Sequence, residues 1–114
     1  MVAWLRVVRV EEYTPHALKA MRENPATNRR EAVEQLVTAA GGKLVSMYGT
    51  IAEGPGALII FDADPVAAAA IAGVAASSDG VHHVKMLRLF AHEDIVAIRT
   101  KAKQIQGSYK APGK

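Results

Sequence analysis

The sequence predicts an α+β domain built on a four-stranded antiparallel sheet. Four runs rich in β-branched and other apolar residues alternate with segments that carry helix-start signals. Thr14-Pro15 and Asp64-Pro65 each pair a capping side chain with a proline suited to the first helical position. The run Ala57-Leu58-Ile59-Ile60-Phe61 is apolar at every position, as in a strand covered on both faces.

Trp4 to Val10 reads as the first strand, with Arg6 and Arg9 interrupting it on opposite faces. A helix follows from Pro15 to about Glu23, and Pro25 stops it because its ring blocks the helical hydrogen bond behind it. Asn28, with Glu31 three residues on, fits a reciprocal cap for a second helix. Its apolar stripe is Ala32, Val33, Leu36, Val37 and Ala40, and Gly41-Gly42 closes it. Lys43 to Ile51 is the second strand, residues 52–56 (Ala-Glu-Gly-Pro-Gly) a turn, and Ala57 to Phe61 the third strand. The Asp64-Pro65 helix runs to about Ala76, Asp79-Gly80 turns the chain, and Val81 to Phe90 is the fourth strand. His92-Glu93-Asp94 opens a last helix with Ile95, Ile98, Ala102 and Ile105 on one side.

The order is β-α-β-β-α-β plus a C-terminal helix, the ferredoxin-like arrangement. Residues 1–105 form the expected domain and 106–114 a polar tail. Right-handed crossovers put strands one and three at the centre. Helices then cover one face only. The other would leave large apolar side chains of two central strands in water, at about 1.5–3 kcal/mol each. A second copy of the sheet is the simplest cover, and the C-terminal helix folding back is the competing one. A homo-oligomer, a dimer or a multiple of it, is therefore expected.

Composition narrows the function classes. The 114 residues are 50% apolar and 22% charged, the balance of a water-soluble globular domain. Without cysteine, disulfides and thiolate chemistry are excluded. No signal-peptide pattern opens the chain, and the Ala-rich run Val66 to Ala76 is too short to span a bilayer. A cytoplasmic protein with no membrane partner is expected. The net charge of +3 is partly carried by Arg99, Lys101, Lys103, Lys110 and Lys114. A solvated helix face explains these better than nucleic acid, which calls for a larger basic patch with interleaved aromatics.

The residues Tyr13-Thr14-Pro15, Asn24-Pro25, Arg29-Arg30-Glu31-Ala32, Leu36-Val37, Gly41-Gly42-Lys43-Leu44, Tyr48, Leu58 to Phe61 with Asp64, Val84-Lys85 and Leu89 resemble the GYD-domain family of small bacterial and archaeal proteins. The resemblance spans about residues 3 to 100. It implies a dimeric α+β-barrel, two ferredoxin-like sheets packed face to face, and no settled activity. The Gly-x-Tyr-Asp stretch that names the family is replaced here by the residues 52–56 turn, so no role of that tyrosine or aspartate carries over.

The candidate ligand-binding residues are Trp4, Arg6, Tyr48, His82 and His83. Trp4, Arg6 and Tyr48 are expected to line a cavity between sheet and helices. Arg6 on a central strand needs a partner, either an anionic ligand or an acid such as Glu11, Glu12, Glu53 or Asp62. Strand alternation sends His82 to one face with Val84, Met86 and Arg88, and His83 to the other with Lys85, Leu87 and Leu89. The pair is therefore not expected to share a metal, and no metal or cofactor is expected. His16 and His92 sit at helix starts in solvent. The Gly54-Pro55-Gly56 turn lacks a phosphate-binding fingerprint, and Glu11-Glu12 and Glu93-Asp94 sit at element ends rather than in a catalytic pair.

Two functional readings follow. The first is an oligomeric module, accessory or small-molecule-binding, without catalysis of its own. The second is a cofactor-free enzyme, monooxygenase- or isomerase-like, acting on a small aromatic or lactone substrate. A cavity holding Arg6, Tyr48 and a histidine together would favour the second, which otherwise rests on fold analogy.

Overall fold

The computed structural model describes residues 3–51 and 54–113. Its elements are β1 (Leu5–Tyr13), α1 (Pro15–Glu23), α2 (Arg29–Ala39), β2 (Lys43–Thr50), β3 (Gly56–Ala63), α3 (Pro65–Ala76), β4 (Val81–Leu89) and α4 (His92–Ile105), then a 3-10 turn at Gln106–Ser108. The strands form one antiparallel sheet in the order β2-β3-β1-β4. The two central strands are β1 and β3, as the crossover argument requires. Ala52 and Glu53 of the expected turn lie outside the described residues.

The local signals act as their chemistry dictates. The Thr14 hydroxyl accepts from the Ala17 N–H at 3.2 Å, Asn28 Oδ1 from Glu31 N–H at 2.9 Å, and Asp64 Oδ1 from Ala67 N–H at 2.8 Å. Each satisfies one of the donors left free in a first helical turn. Gly41 closes α2 with φ 84°, a left-handed conformation natural to glycine.

Helices cover one face of the sheet. Val7, Arg9 and Glu11 of β1 and Ala57, Ile59, Phe61 and Ala63 of β3 are buried there, beneath Val37 of α2 and Ala67, Ala68 and Ile71 of α3. Alternation puts Arg6, Val8, Val10 and Glu12 of β1 and Leu58, Ile60 and Asp62 of β3 on the opposite, open face. Lys85, Leu87 and Leu89 of β4 and Tyr48 of β2 share it through their pairing. Among the described residues, the helix α4 does not fold back across this face; its one substantial neighbour there is the 3-10 turn that follows it. Val96, Ile98 and Ile105 of α4 are consequently exposed.

Ile59 and Ile60 thus face opposite environments. Ile59→Ala should lower unfolding stability by roughly 2–5 kcal/mol in urea denaturation, the range for a buried isoleucine that leaves a cavity. Ile60→Ala, on the open face, should cost much less in the isolated chain.

Candidate functional site

The helix-covered side holds a cavity whose lining is not the one expected from the sequence. It has a volume of about 190 Å³ and lies between the sheet and α2 and α3. Its walls are mainly apolar, with Val33, Leu36, Ile59, Phe61 and Ile71 among them. Two charged residues of β1 stand on its floor. Arg9, 2% exposed, donates from Nε to Glu11 Oε1 at 2.8 Å, and Glu11 is itself 5% exposed. Arg9 Nη1 reaches Met86 Sδ at 3.9 Å, a weak acceptor. Nη2 is buried and has no hydrogen-bond partner among the described residues.

Strand geometry explains this placement. Residues 9 and 11 are two apart and share the face of Leu5, Val7 and Tyr13. That spacing was visible in the sequence, but nothing in it said which face of β1 the helices would take. An outer recess of about 440 Å³ adjoins the cavity, and Arg29, Ser78 and Val81 line both. Tyr13 lines the recess; burial pushes its phenol above the ordinary value, against the opposing pull of the Arg29 guanidinium.

The residues expected at a sheet–helix cavity lie elsewhere. Arg6 is exposed on the open face, where Nε and Nη2 grip Asp62 Oδ1 and Oδ2 at 2.8 and 2.9 Å. Of the acids named as possible partners, Asp62 therefore holds it; Glu53 lies outside the described residues. Trp4 is 52% exposed and borders a recess at the sheet's end with Arg6, Asp62, Arg88 and Phe90. Tyr48 is exposed opposite Leu58 on the open face. The structure brings Trp4 and Arg6 together, but it puts Arg6 and Tyr48 on the wrong side of the sheet for the cavity.

The two-faced placement of His82 and His83 also fails, because β4 does not alternate evenly. Val10 pairs with Lys85 and Glu12 with His82, so β4 has one residue more than β1 over this stretch. This is a β-bulge, and His83 adopts a left-handed φ of 51° within it. His82, opposite Glu12, lies on the open face, and the bulge brings His83 to the same side. The imidazoles stack with centroids 4.1 Å apart, and His83 Nδ1 lies 3.2 Å from Glu12 Oε2. Lys85, Leu87 and Leu89 do share one face with His83, which the pairing shows to be the open one; His82 is the residue that departs from its expected set.

Two outcomes follow from these ion pairs. Removing only the acid of the buried pair, in Glu11→Leu, strands the Arg9 charge and should cost about 3–5 kcal/mol of unfolding stability. The double change Arg9→Met with Glu11→Leu should restore most of that loss. On the open face, hydrogen bonding from Arg6 holds the Asp62 carboxyl below its usual value, aided by the charges of Arg6 and Lys43 and opposed by burial. A carboxyl depressed in the folded state adds stability that is whole above the unfolded value of about 3.9 and disappears as pH falls through the folded value. Asp62→Asn should therefore flatten part of the stability loss below about pH 4, measured as urea midpoints across pH.

The fold and the matched sequence place the chain among known proteins. It is similar to the crystal structure of 30S ribosomal protein S6 from Thermotoga maritima, with a TM-score of 0.54 and 16% identity, over 90% of this chain and 99% of that one. At this identity the likeness shows the fold alone. No curated protein matches the chain. The GYD domain profile matches residues 8–98, most of both the sheet and its helical cover, and the chain belongs to the GYD-domain family.

Proposed function

We propose that this protein is a homo-oligomeric accessory module that binds a small anionic molecule with an apolar body, without catalysis of its own. One observation carries the ligand reading: the buried Arg9 Nη2 that lacks a partner beside an apolar cavity. A buried donor left unpaired costs about 1–3 kcal/mol, and a charged one more. With Arg9, Arg29 and Glu11 on its walls, the cavity has a cationic surplus. A carboxylate or similar oxyanion would complete the guanidinium's hydrogen bonds. The volume of about 190 Å³ exceeds the 150 Å³ or so that admits benzene in an apolar protein cavity.

The oligomer reading rests on the open face. Val8, Val10, Leu58 and Ile60 are only half-buried there, Leu87 is exposed, and α4 leaves them uncovered. A second sheet packed against them would form the barrel that the family resemblance implies. A cytoplasmic location belongs to the same proposal; among the described residues no helix is long and apolar enough to cross a membrane. The alternative, an enzyme using Arg6, Tyr48 and a histidine, draws no support from the cavity, whose polar groups are different ones.

Light scattering across a dilution series should give a dimer or a multiple of it, and Ile60→Glu should yield folded monomers. A wild-type monomer at micromolar concentration would refute the paired-sheet assembly. For the ligand, the melting temperature should be followed with a panel of small aromatic and aliphatic carboxylates. At least one should raise it for the wild type and not for Arg9→Met/Glu11→Leu. An equal response from both proteins would refute the assignment to Arg9.

A further inference from the structure

The bulge in β4 gathers three metal-ligating side chains on the open face. We propose that Glu12, His82 and His83 form a binding site for one divalent transition-metal ion, with zinc as the best-suited member of the class. Each residue offers one ligand atom, and the three atoms lie within 4.8 Å of one another. Ligand atoms about 2.0–2.2 Å from a tetrahedral zinc ion stand about 3.3–3.6 Å apart, so the widest separation in the cluster must close by about 1 Å on binding. The closest pair, His83 Nδ1 and Glu12 Oε2 at 3.2 Å, already has a separation that fits neighbouring positions around a metal. Modest side-chain rotation brings in the second imidazole. Two imidazoles and one carboxylate suit zinc and the later first-row divalent ions better than magnesium or calcium, which favour all-oxygen sets.

Three features of the backbone build this arrangement. An even strand would separate consecutive histidines onto opposite faces, and the extra residue of the bulge removes that separation. It does so by holding His83 at φ 51°, where a residue bearing a Cβ is strained by about 1–2 kcal/mol. The exposed contact between His83 and Glu12 does not offset such a cost by itself, since exposed ion pairs are typically worth 0–1 kcal/mol. Strain held at a cluster of chemically capable side chains is the pattern expected of a functional site. Third, Gly54 packs its backbone against the Glu12 carboxylate, and a Cβ there would collide with Glu12 Oε1. Gly54 has φ 131°, so the turn is shaped to let the carboxylate stand beside the histidines.

The site is also reachable. β4 is an edge strand, which puts the cluster at the rim of the open face rather than its middle. The His83 side chain is 69% exposed and Glu12 is 30% exposed. Three protein ligands leave at least one coordination position for water, a small ligand, or a donor from a second copy.

The test uses the full chain, purified without an affinity tag and freed of metal, with zinc chloride and cobalt chloride as the probes. Isothermal titration should show one tight site per chain, and cobalt should give the visible absorption of a nitrogen- and oxygen-ligated ion. His82→Ala and Glu12→Gln should each weaken binding at least about tenfold, the lower end of what loss of even an outer-shell partner costs a metal site. His83→Gly separates ligation from folding, because glycine favours the bulge conformation. It should leave the metal-free melting temperature unchanged or raised while weakening zinc binding by a similar factor. His16→Ala, on α1 and outside the cluster, should bind as the wild type does. A wild type that binds neither ion, or His82 and His83 variants that keep wild-type affinity, would overturn the proposal.

Discussion

The structure depends on a constraint at the centre of its sheet. β1 and β3 each have a hydrogen-bonded neighbour on both sides, so neither has an edge at which to relax. Each must therefore supply two different sets of side chains, because only one face lies beneath helices. On β3 both sets are apolar, with Ala57, Ile59 and Phe61 inward and Leu58 and Ile60 outward. On β1 the inward set begins apolar and then turns charged at Arg9 and Glu11. The core is packed under the first half of this strand, and the cavity opens over the second.

Most of the fold was legible because it is encoded locally. Thr14, Asn28 and Asp64 satisfy backbone donors within their own first turns, and Gly41 ends α2 by its own conformation. The central positions of β1 and β3 followed from crossover handedness together with their apolar content. The site was less legible, for two physical reasons. Alternation orders side chains into two sets but does not say which set the helices cover, so Arg6 was placed inward and Arg9, assigned to the other face, was not weighed as a cavity residue. Alternation also assumes an even ladder. A bulge inserts one residue without any glycine or proline to announce it, and His82 changed face as a result. The apolar stripe of α4 was no measure of whether that helix would return to the sheet.

The two carboxylates that follow Arg9 show how tightly the strand is used. Glu11 turns inward to a buried guanidinium, and Glu12 turns outward to two imidazoles. One peptide unit separates a low-dielectric environment from a wet one. The inward pair carries a desolvation cost that an apolar pair would avoid. Its retention on a central strand fits a floor that must present a donor to the cavity rather than merely fill it.

The outstretched α4 makes the single chain a poor sphere. Its radius of gyration is 17.8 Å, against about 13 Å for a compact chain of roughly 100 residues. Its extents of 58 × 38 × 24 Å describe a body more than twice as long as it is thick. Such a shape meets more friction than its mass implies and tumbles unequally about its axes. A lone chain would elute from a sizing column ahead of a compact protein of equal mass, while a second chain that docked along the sheet would add mass without adding length in proportion. Elution volume alone would therefore understate the difference between one chain and two.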